Sequence, residues 1–309
     1  MSRVRLASPI RADGVTGRWN HAATPGQTDG MAEASLRVGV VQVQSDDDLN
    51  ANLARCFEQM ERACAEGAEL LVLPENFAYF GTEPGKRQLA ESVSPAASAE
   101  DGPILRFLRE FAQQRGVTVI GGGMPERSDD PQRPYNCAVV VAPSGNVISR
   151  YRKVHLFDVT LPGGQQYRES EATAAGQAAV VVDVAGYGVG LTICYDLRFP
   201  MLFQKLRDQG ADVLTVPAAF TAQTGAAHWH PLLRSRAIEC QCWVLAAAQC
   251  GQHPGGRFTY GHAMIVDPWG TVVAECSDGP GMCVADIERE FIDNVRARIP
   301  CANHRRQFP

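Results

Sequence analysis

A carboxylate, an ammonium and a thiol each follow an apolar run in this chain: Glu75 after "LLVLP", Lys153 after "VISRYR" and Cys194 after "GVGLTI". Strand ends are where parallel and mixed sheets place ligands, and these three groups complement one another chemically. A free thiol, with a pKa near about 8.5, is a weak nucleophile at neutral pH. A nearby ammonium favours the thiolate, and a carboxylate accepts the proton and returns it to a leaving nitrogen. The ammonium also stabilises the oxyanion of a tetrahedral intermediate, together with a backbone N–H just after Cys194, where the chain turns into a helix at Pro200. Such a set would cleave a carbon–nitrogen bond through a thioester, with neither metal nor cofactor required. Taken singly, each residue also fits a structural place. Free cysteine is among the most buried side chains, a glutamate after a strand is commonly solvated, and Lys153 shares a basic cluster with Arg150 and Arg152.

The elements that must position these groups alternate between strand and helix. "LRVGVVQVQ" (36–44) reads as a strand, and Leu49, Leu53, Phe57, Met60 and Cys64 then recur at helical spacing until Gly67. "ELLVL" (69–73) is a short buried strand. Pro103 opens a helix with Ile104, Leu108 and Phe111 on one face, Gly116 closes it, and "VTVIGG" follows as another strand. "CAVVVAPSGNVISRYRK" predicts two strands around a Pro-Ser-Gly-Asn turn, hence a mixed sheet.

This order repeats. "EGAELLVLPE" (66–75) resembles "QGADVLTVPA" (209–218), and "YNCAVVVAPSGNVIS" (135–149) resembles "YGHAMIVDPWGTVVA" (260–274), both in the same sequence order. Two copies of one α/β layer, packed sheet on sheet with helices outside, predict a four-layer α-β-β-α sandwich of two mixed sheets in one domain, residues 36–309. The copies differ where charge matters: Glu75 has Ala218 as its counterpart, and Lys153 has Asp278.

The bulk composition bounds the partners. Of 309 residues, 45% are hydrophobic and 20% charged, enough for a substantial core. A net charge of -5 leaves no basic footprint for nucleic acid. No apolar stretch reaches the roughly 18–20 residues that span a bilayer, so neither nucleic acid nor membrane is expected as a partner. Ten cysteines scattered through a long chain fit reduced thiols in a cytoplasm. Residues 1–35, with "ADGVTGRWNHAATPGQTDGMAEAS", have no apolar period and read as a mobile tail. Arg3, Arg5, Arg11 and Arg18 there fit an organelle transit peptide, and Met31 fits an over-extended start at least as well.

Together, "LPENF", "YRKVHLFD" and "GLTICYDLRFP" resemble the three signature segments of the nitrilase (carbon–nitrogen hydrolase) superfamily, over nearly the whole chain from Leu36. The resemblance implies the nitrilase-like sandwich and a catalytic triad of Glu75, Lys153 and Cys194, with Glu169 in "YRES" as the supporting second glutamate. "PAAFTAQTGAAHWHPLLRSRAIE", "VLAAAQCG" and "YGHAMIVDPWG" are similar to the branch that holds the deaminated-glutathione amidases, more than to the omega-amidases. That branch implies cleavage of the terminal amide of a small 2-oxoglutaramate-type substrate such as deaminated glutathione, with release of ammonia. Arg198 and Arg257 are then candidates for the substrate carboxylate, with Tyr79 and Tyr195 as further candidate substrate contacts. The superfamily also implies a homodimer or higher assembly, with "IPCANHRRQFP" as an arm that crosses to a partner.

Other readings compete. A histidine-assisted thiol hydrolase would use His155, His228 or His230 as its base. "HWH" (228–230) with "CQC" (240–242) has zinc-ligand types, but residues two apart on a helix point in different directions. Within the superfamily the alternatives are an omega-amidase, an N-carbamoyl-amino-acid hydrolase and a nitrilase proper. Outside enzymes, the alternative is a scaffold that kept the fold and lost activity.

Overall fold

The computed structural model describes residues 35–161 and 164–306. The expected tail lies outside them except for Ser35, as do the last three residues of the C-terminal segment. Strand β1 (Leu36–Val43) leads through helix α1 (Leu49–Ala65) to β2 (Leu70–Leu73). Helices α2 (Glu83–Gln88) and α3 (Pro103–Arg115) precede the run β3 (Thr118–Glu126), β4 (Tyr135–Val141) and β5 (Val147–Arg152). A ribbon of β6 (Asp158–Thr160) and β7 (Gln166–Arg168) follows. The second half runs β8 (Val180–Val184), β9 (Tyr187–Leu191), α4 (Pro200–Asp208), β10 (Val213–Thr215), α5 (Ala222–Cys240) and β11 (Trp243–Ala246). Then come β12 (Ala248–His253), β13 (Arg257–Tyr260), β14 (Met264–Val266), β15 (Val272–Glu275), β16 (Gly281–Ile287), α6 (Arg289–Arg298) and α7 (Cys301–His304).

Local chemistry sets the helix ends. The Asp48 side chain accepts the Ala51 N–H and starts α1. Helix α3 begins on Pro103 and ends at Gly116, whose φ of 68° is left-handed. The buried Glu91 carboxylate accepts the Ile104 and Leu105 N–H groups at its start. On α1 the buried face is not centred on the expected stripe: Cys56, Met60 and Ala63 point inward, whereas Phe57 is 41% exposed. The helix lies close to β1 at Gly39, where a Cβ would stand 3.3 Å from that of Ala63. Ala63 therefore stands at the close approach to β1, Leu49 and Leu53 flank the inner face, and Phe57 packs edge-on against Phe111.

Two mixed sheets carry the architecture. The first is ordered β13-β12-β1-β2-β3-β4-β5, with β16 also paired to β1; the second is ordered β15-β14-β11-β10-β9-β8. Alternation along the strands separates two apolar layers. Val38, Val40, Leu70, Val72 and Ile120 of the first sheet share one core with Val189, Leu191, Val213 and Ile265 of the second. Val41, Leu71, Leu73 and Val119 turn the other way onto Cys56, Met60, Leu105 and Leu108 of α1 and α3. This is the predicted α-β-β-α sandwich.

The repeat holds to the residue. Val38 pairs with Leu70 as Val189 pairs with Val213, and Leu70 pairs with Thr118 as Val213 pairs with Trp243. Val119 pairs with Val141 as Val244 pairs with Val266. Gly116, in the left-handed region before β3, has Gln241 at φ 53° as its counterpart before β11. Among the described residues no helix is long and apolar enough to cross a membrane.

Candidate active site

The ends of β2, β5 and β9 converge. Lys153 continues directly from β5, its N–H donating to Asn136 O at 2.9 Å. Cys194 lies just past β9, and its N–H donates to Pro217 O at 2.9 Å. Its φ of 47° is left-handed, a conformation that costs a side-chain-bearing residue about 1–2 kcal/mol. Asp196, fully buried, holds that turn in place. One of its oxygens accepts the Ile193 N–H at 2.9 Å and the Tyr151 hydroxyl at 2.7 Å. The other accepts the His155 N–H at 3.1 Å and faces His155 Nδ1 at 2.7 Å. One carboxylate thus ties the Cys194 turn to the chain on both sides of Lys153. Asp196→Ala leaves those donors without their acceptor and is expected to cost about 3–5 kcal/mol of stability, read as a lowered denaturant midpoint. A shift within experimental error would contradict this bracing role.

Around Lys153 two carboxylates compete for one buried ammonium. Glu75 Oε1 accepts Lys153 Nζ at 2.8 Å and Asn136 Nδ2 at 2.9 Å, and Oε2 accepts the Ala219 N–H at 3.0 Å. Glu169 accepts the same ammonium at 2.9 and 3.1 Å and the Phe157 N–H at 2.6 Å. Only 4% of Glu75 and 2% of Lys153 is exposed, so these contacts act in low dielectric. Burial pushes the Glu75 carboxyl up, but the Lys153 charge and the hydrogen bonds from Lys153, Cys194 and Ala219 hold it below the ordinary carboxylate value. Burial likewise opposes the Lys153 charge, and the two carboxylates raise its pKa well above normal nonetheless.

Cys194 departs from the sequence expectation. Burial and then the Glu75 charge raise its pKa well above that of a free thiol, and the Lys153 charge does not offset them. The directions of these shifts give a neutral thiol beside an ionised Glu75 at rest, not a thiolate stabilised by the ammonium. Two residues of this framework went unremarked in the sequence, Asp196 and Asn136. Asn136 Nδ2 spans Glu75 and Glu169, the latter at 3.3 Å. A signal existed for it, since asparagine is depleted in strands and here is the second residue of β4. Gly123, at φ 84°, makes room behind it: a Cβ there would stand 2.8 Å from Asn136 Oδ1 and 3.0 Å from Glu75 Cγ.

A cavity of about 390 Å³ opens onto Cys194, Glu75, Lys153 and Glu169, with Phe80, Phe157, Tyr195, Arg198, Phe220 and Arg257 in its wall. Tyr195, Arg198 and Arg257 thus stand where they were expected to meet substrate. Tyr79 does not. Its ring packs beneath Gly81 and Gly85, its oxygen accepts the Thr82 N–H, and the next residue, Phe80, takes the wall position. The Arg198 guanidinium lies over the Phe220 ring and 3.2 Å from His228 Nδ1. That of Arg257 lies over Phe80 and Tyr167. Neither arginine has a carboxylate partner among the described residues.

The alternative bases and ligands lie elsewhere. The His155 ring stacks on Phe199 at 3.7 Å, bonded to Asp196 and outside the cavity wall. His228 meets Arg198, His230 meets Glu275, and the Cys242 thiol lies against the Ala211 and Cys240 carbonyls, so these side chains have partners other than one another.

The family model for carbon-nitrogen hydrolases matches residues 37–297. The deaminated glutathione amidase of Rattus norvegicus is 44% identical over 286 residues, covering 89% of this chain and 86% of the relative. The deaminated glutathione amidase of Synechocystis sp. is 44% identical over 268 residues, covering 86% of this chain and 96% of the relative. Among solved structures, Saccharomyces cerevisiae Nit3, a member of branch 10 of the nitrilase superfamily, superposes with a TM-score of 0.79 at 32% identity. That superposition covers 88% of this chain and 97% of the other.

Proposed function

The chain belongs to the carbon-nitrogen hydrolase family, and from that premise we propose that it cleaves the amide of a small 2-oxoglutaramate-type acid such as deaminated glutathione, through a thioester on Cys194. It is a hydrolase of non-peptide carbon–nitrogen bonds. Cys194 Sγ attacks the amide carbonyl as Glu75 takes the thiol proton. Lys153 Nζ and the Tyr195 N–H stabilise the oxyanion. Glu75 returns its proton to the leaving nitrogen, and the C–N bond breaks. A water, deprotonated by Glu75, then attacks the thioester and releases the acid and the thiol. Glu169 holds the ammonium from the far side, so that Lys153 stays charged while Glu75 is transiently protonated.

The observation that carries the substrate class is the pair Arg198 and Arg257, two guanidiniums in the wall of the nucleophile's cavity without a carboxylate partner among the described residues. Deaminated glutathione supplies two carboxylates, one beside its oxo group and one on glycine. Its scissile nitrogen belongs to a cysteinylglycine unit, so the amine released is that dipeptide. Ammonia, expected from the sequence, is not released from deaminated glutathione; of the two 2-oxoglutaramate-type substrates, the primary amide 2-oxoglutaramate releases it.

The test compares cysteinylglycine release from deaminated glutathione with ammonia release from 2-oxoglutaramate, N-carbamoyl-β-alanine and a simple nitrile. Highest kcat/KM on deaminated glutathione supports the reading, whereas preference for another substrate moves the activity to that branch. Arg257→Ala is expected to raise KM for deaminated glutathione by about 10–100-fold, the value of a charge-assisted pair, with kcat little changed. An unchanged KM would remove Arg257 from substrate binding.

A homodimer belongs to this proposal, supported by the exposed apolar side chains Met201, Ile238 and Trp269; subunit mass in solution tests it. Ten free cysteines support a reducing, cytoplasmic setting.

A further inference from the structure

Asn136 lines the cavity beside Glu75, Lys153 and Glu169, and its amide is held in one orientation at a cost. Strands β4 and β5 are antiparallel with Cys137 opposite Arg152, so the next pair is Asn136 opposite Lys153, closed by the Lys153 N–H on Asn136 O at 2.9 Å. Opposite residues of an antiparallel pair project on one face, and both side chains reach Glu75. An ionised carboxylate only accepts hydrogen bonds, so the amide nitrogen faces Glu75 and Glu169, at 2.9 and 3.3 Å. Asn136 Oδ1 is left buried without a hydrogen-bond partner, the penalty for satisfying two carboxylates from one side chain.

The two oxygens of Glu75 are thereby made unlike. Each carboxylate oxygen offers about two lone-pair directions. On Oε1 both are taken, by Lys153 Nζ at 2.8 Å and Asn136 Nδ2 at 2.9 Å. On Oε2 the Ala219 N–H at 3.0 Å takes one and leaves the other. Oε2 is also the oxygen tied to the nucleophile's turn: Ala219 lies two residues past Pro217, whose carbonyl accepts the Cys194 N–H at 2.9 Å. The backbone around Glu75 is anchored as well. Gln249 Nε2 donates to Glu75 O at 3.1 Å, and the Asn76 N–H donates to Gly123 O at 3.0 Å.

We propose that Asn136 is a positioning residue that directs proton transfer to Oε2 of Glu75 by closing Oε1. The inference rests on the reading of Glu75 as the base for Cys194. In acylation the Sγ–H bond breaks and its proton bonds to Oε2, while Sγ bonds the carbonyl carbon and the carbonyl π pair moves to oxygen. The Oε2–H bond then breaks and its proton goes to the nitrogen, which leaves with the C–N electron pair as the carbonyl re-forms. Without the Asn136 N–H, Oε1 gains an open direction, and the proton divides between two oxygens, one of them on the Lys153 side.

The experiment compares two variants of nearly the same shape, assayed on whichever substrate above gives the highest kcat/KM. Asn136→Leu removes the donor and is expected to lower kcat by about 10–100-fold, the value of a hydrogen bond to a charged group, with KM little changed. Its acid limb of kcat/KM is expected to move upward, since Glu75 loses a donor that favours its charged form. Asn136→Asp is expected to be weaker still at neutral pH and to recover as pH falls, because the introduced carboxyl donates only when protonated. The titratable groups around Glu75, namely Lys153 after β5, Glu169 after β7 and Cys194 after β9, are kept in both variants. An unchanged kcat in Asn136→Leu overturns the proposal. So does a loss in both variants with neither pH profile displaced, which leaves Asn136 a purely structural part. Neutron diffraction from crystals of the native protein, at a pH below the Glu75 pKa, needs neither variant to fold: a deuteron on Oε2 is expected, and one on Oε1 overturns the proposal. Full turnover in Glu75→Gln would instead remove the base reading itself, and this inference with it.

Discussion

Cys194→Ala is expected to abolish turnover, by at least about 10⁴-fold in kcat, without unfolding the protein. In the proposed mechanism the sulfur is the atom that forms the thioester, and among the described residues no other thiol lines the cavity. The backbone there is left-handed, with φ 47°, and alanine bears the same conformational cost as cysteine. Glycine bears none. Cys194→Gly should therefore be equally inactive yet melt at or above the temperature of Cys194→Ala, a comparison that separates the loss of the nucleophile from strain in the turn. Retained hydrolysis in either variant, with circular dichroism unchanged, would remove Cys194 from the mechanism.

Glu75→Gln is expected to lower kcat by about 10²–10⁴-fold, the usual contribution of a general base. With Cys194 resting as a thiol, the proposed first step needs an acceptor for its proton, and Glu75 is the cavity carboxylate whose charge acts on that thiol. The pH profile follows from the directions of the shifts. Glu75 has a lowered pKa and is ionised through the neutral range. Activity that needs its carboxylate is present above that pKa and is lost only as pH falls through it, below the ordinary carboxylate range. Cys194 has a raised pKa, so no thiol-to-thiolate limb appears near the free-thiol value of about 8.5. The expected kcat/KM profile is flat across neutral pH. Turnover that survives Glu75→Gln and is lost in His155→Ala would favour the histidine reading instead.

Much of this site was legible in the sequence because strand ends and turn residues are local features. The runs before Glu75, Lys153 and Cys194 carry short-range signals, and the similarity of 66–75 to 209–218 predicted the layers before any contact was known. That duplication also explains one hydrogen bond of the site. Glu75 and Ala218 occupy equivalent strand ends in facing sheets, and the next residue, Ala219, donates its N–H to Glu75.

Residue types, their order and the repeat predicted the sandwich and nominated Glu75, Lys153 and Cys194, each encoded in a short stretch of neighbours, whereas Glu169 came from the resemblance to the nitrilase superfamily. Only the tertiary structure decided what depends on burial and on partners distant in sequence. It showed that Glu75 meets Asn136 and Lys153 across separations of 61 and 78 residues. It put Phe80 rather than Tyr79 in the wall, a choice made by how the chain after β2 packs on Gly81 and Gly85. It also decided that Cys194 rests protonated, because desolvation and a neighbouring carboxylate outweigh one ammonium only when all three groups share a dry site.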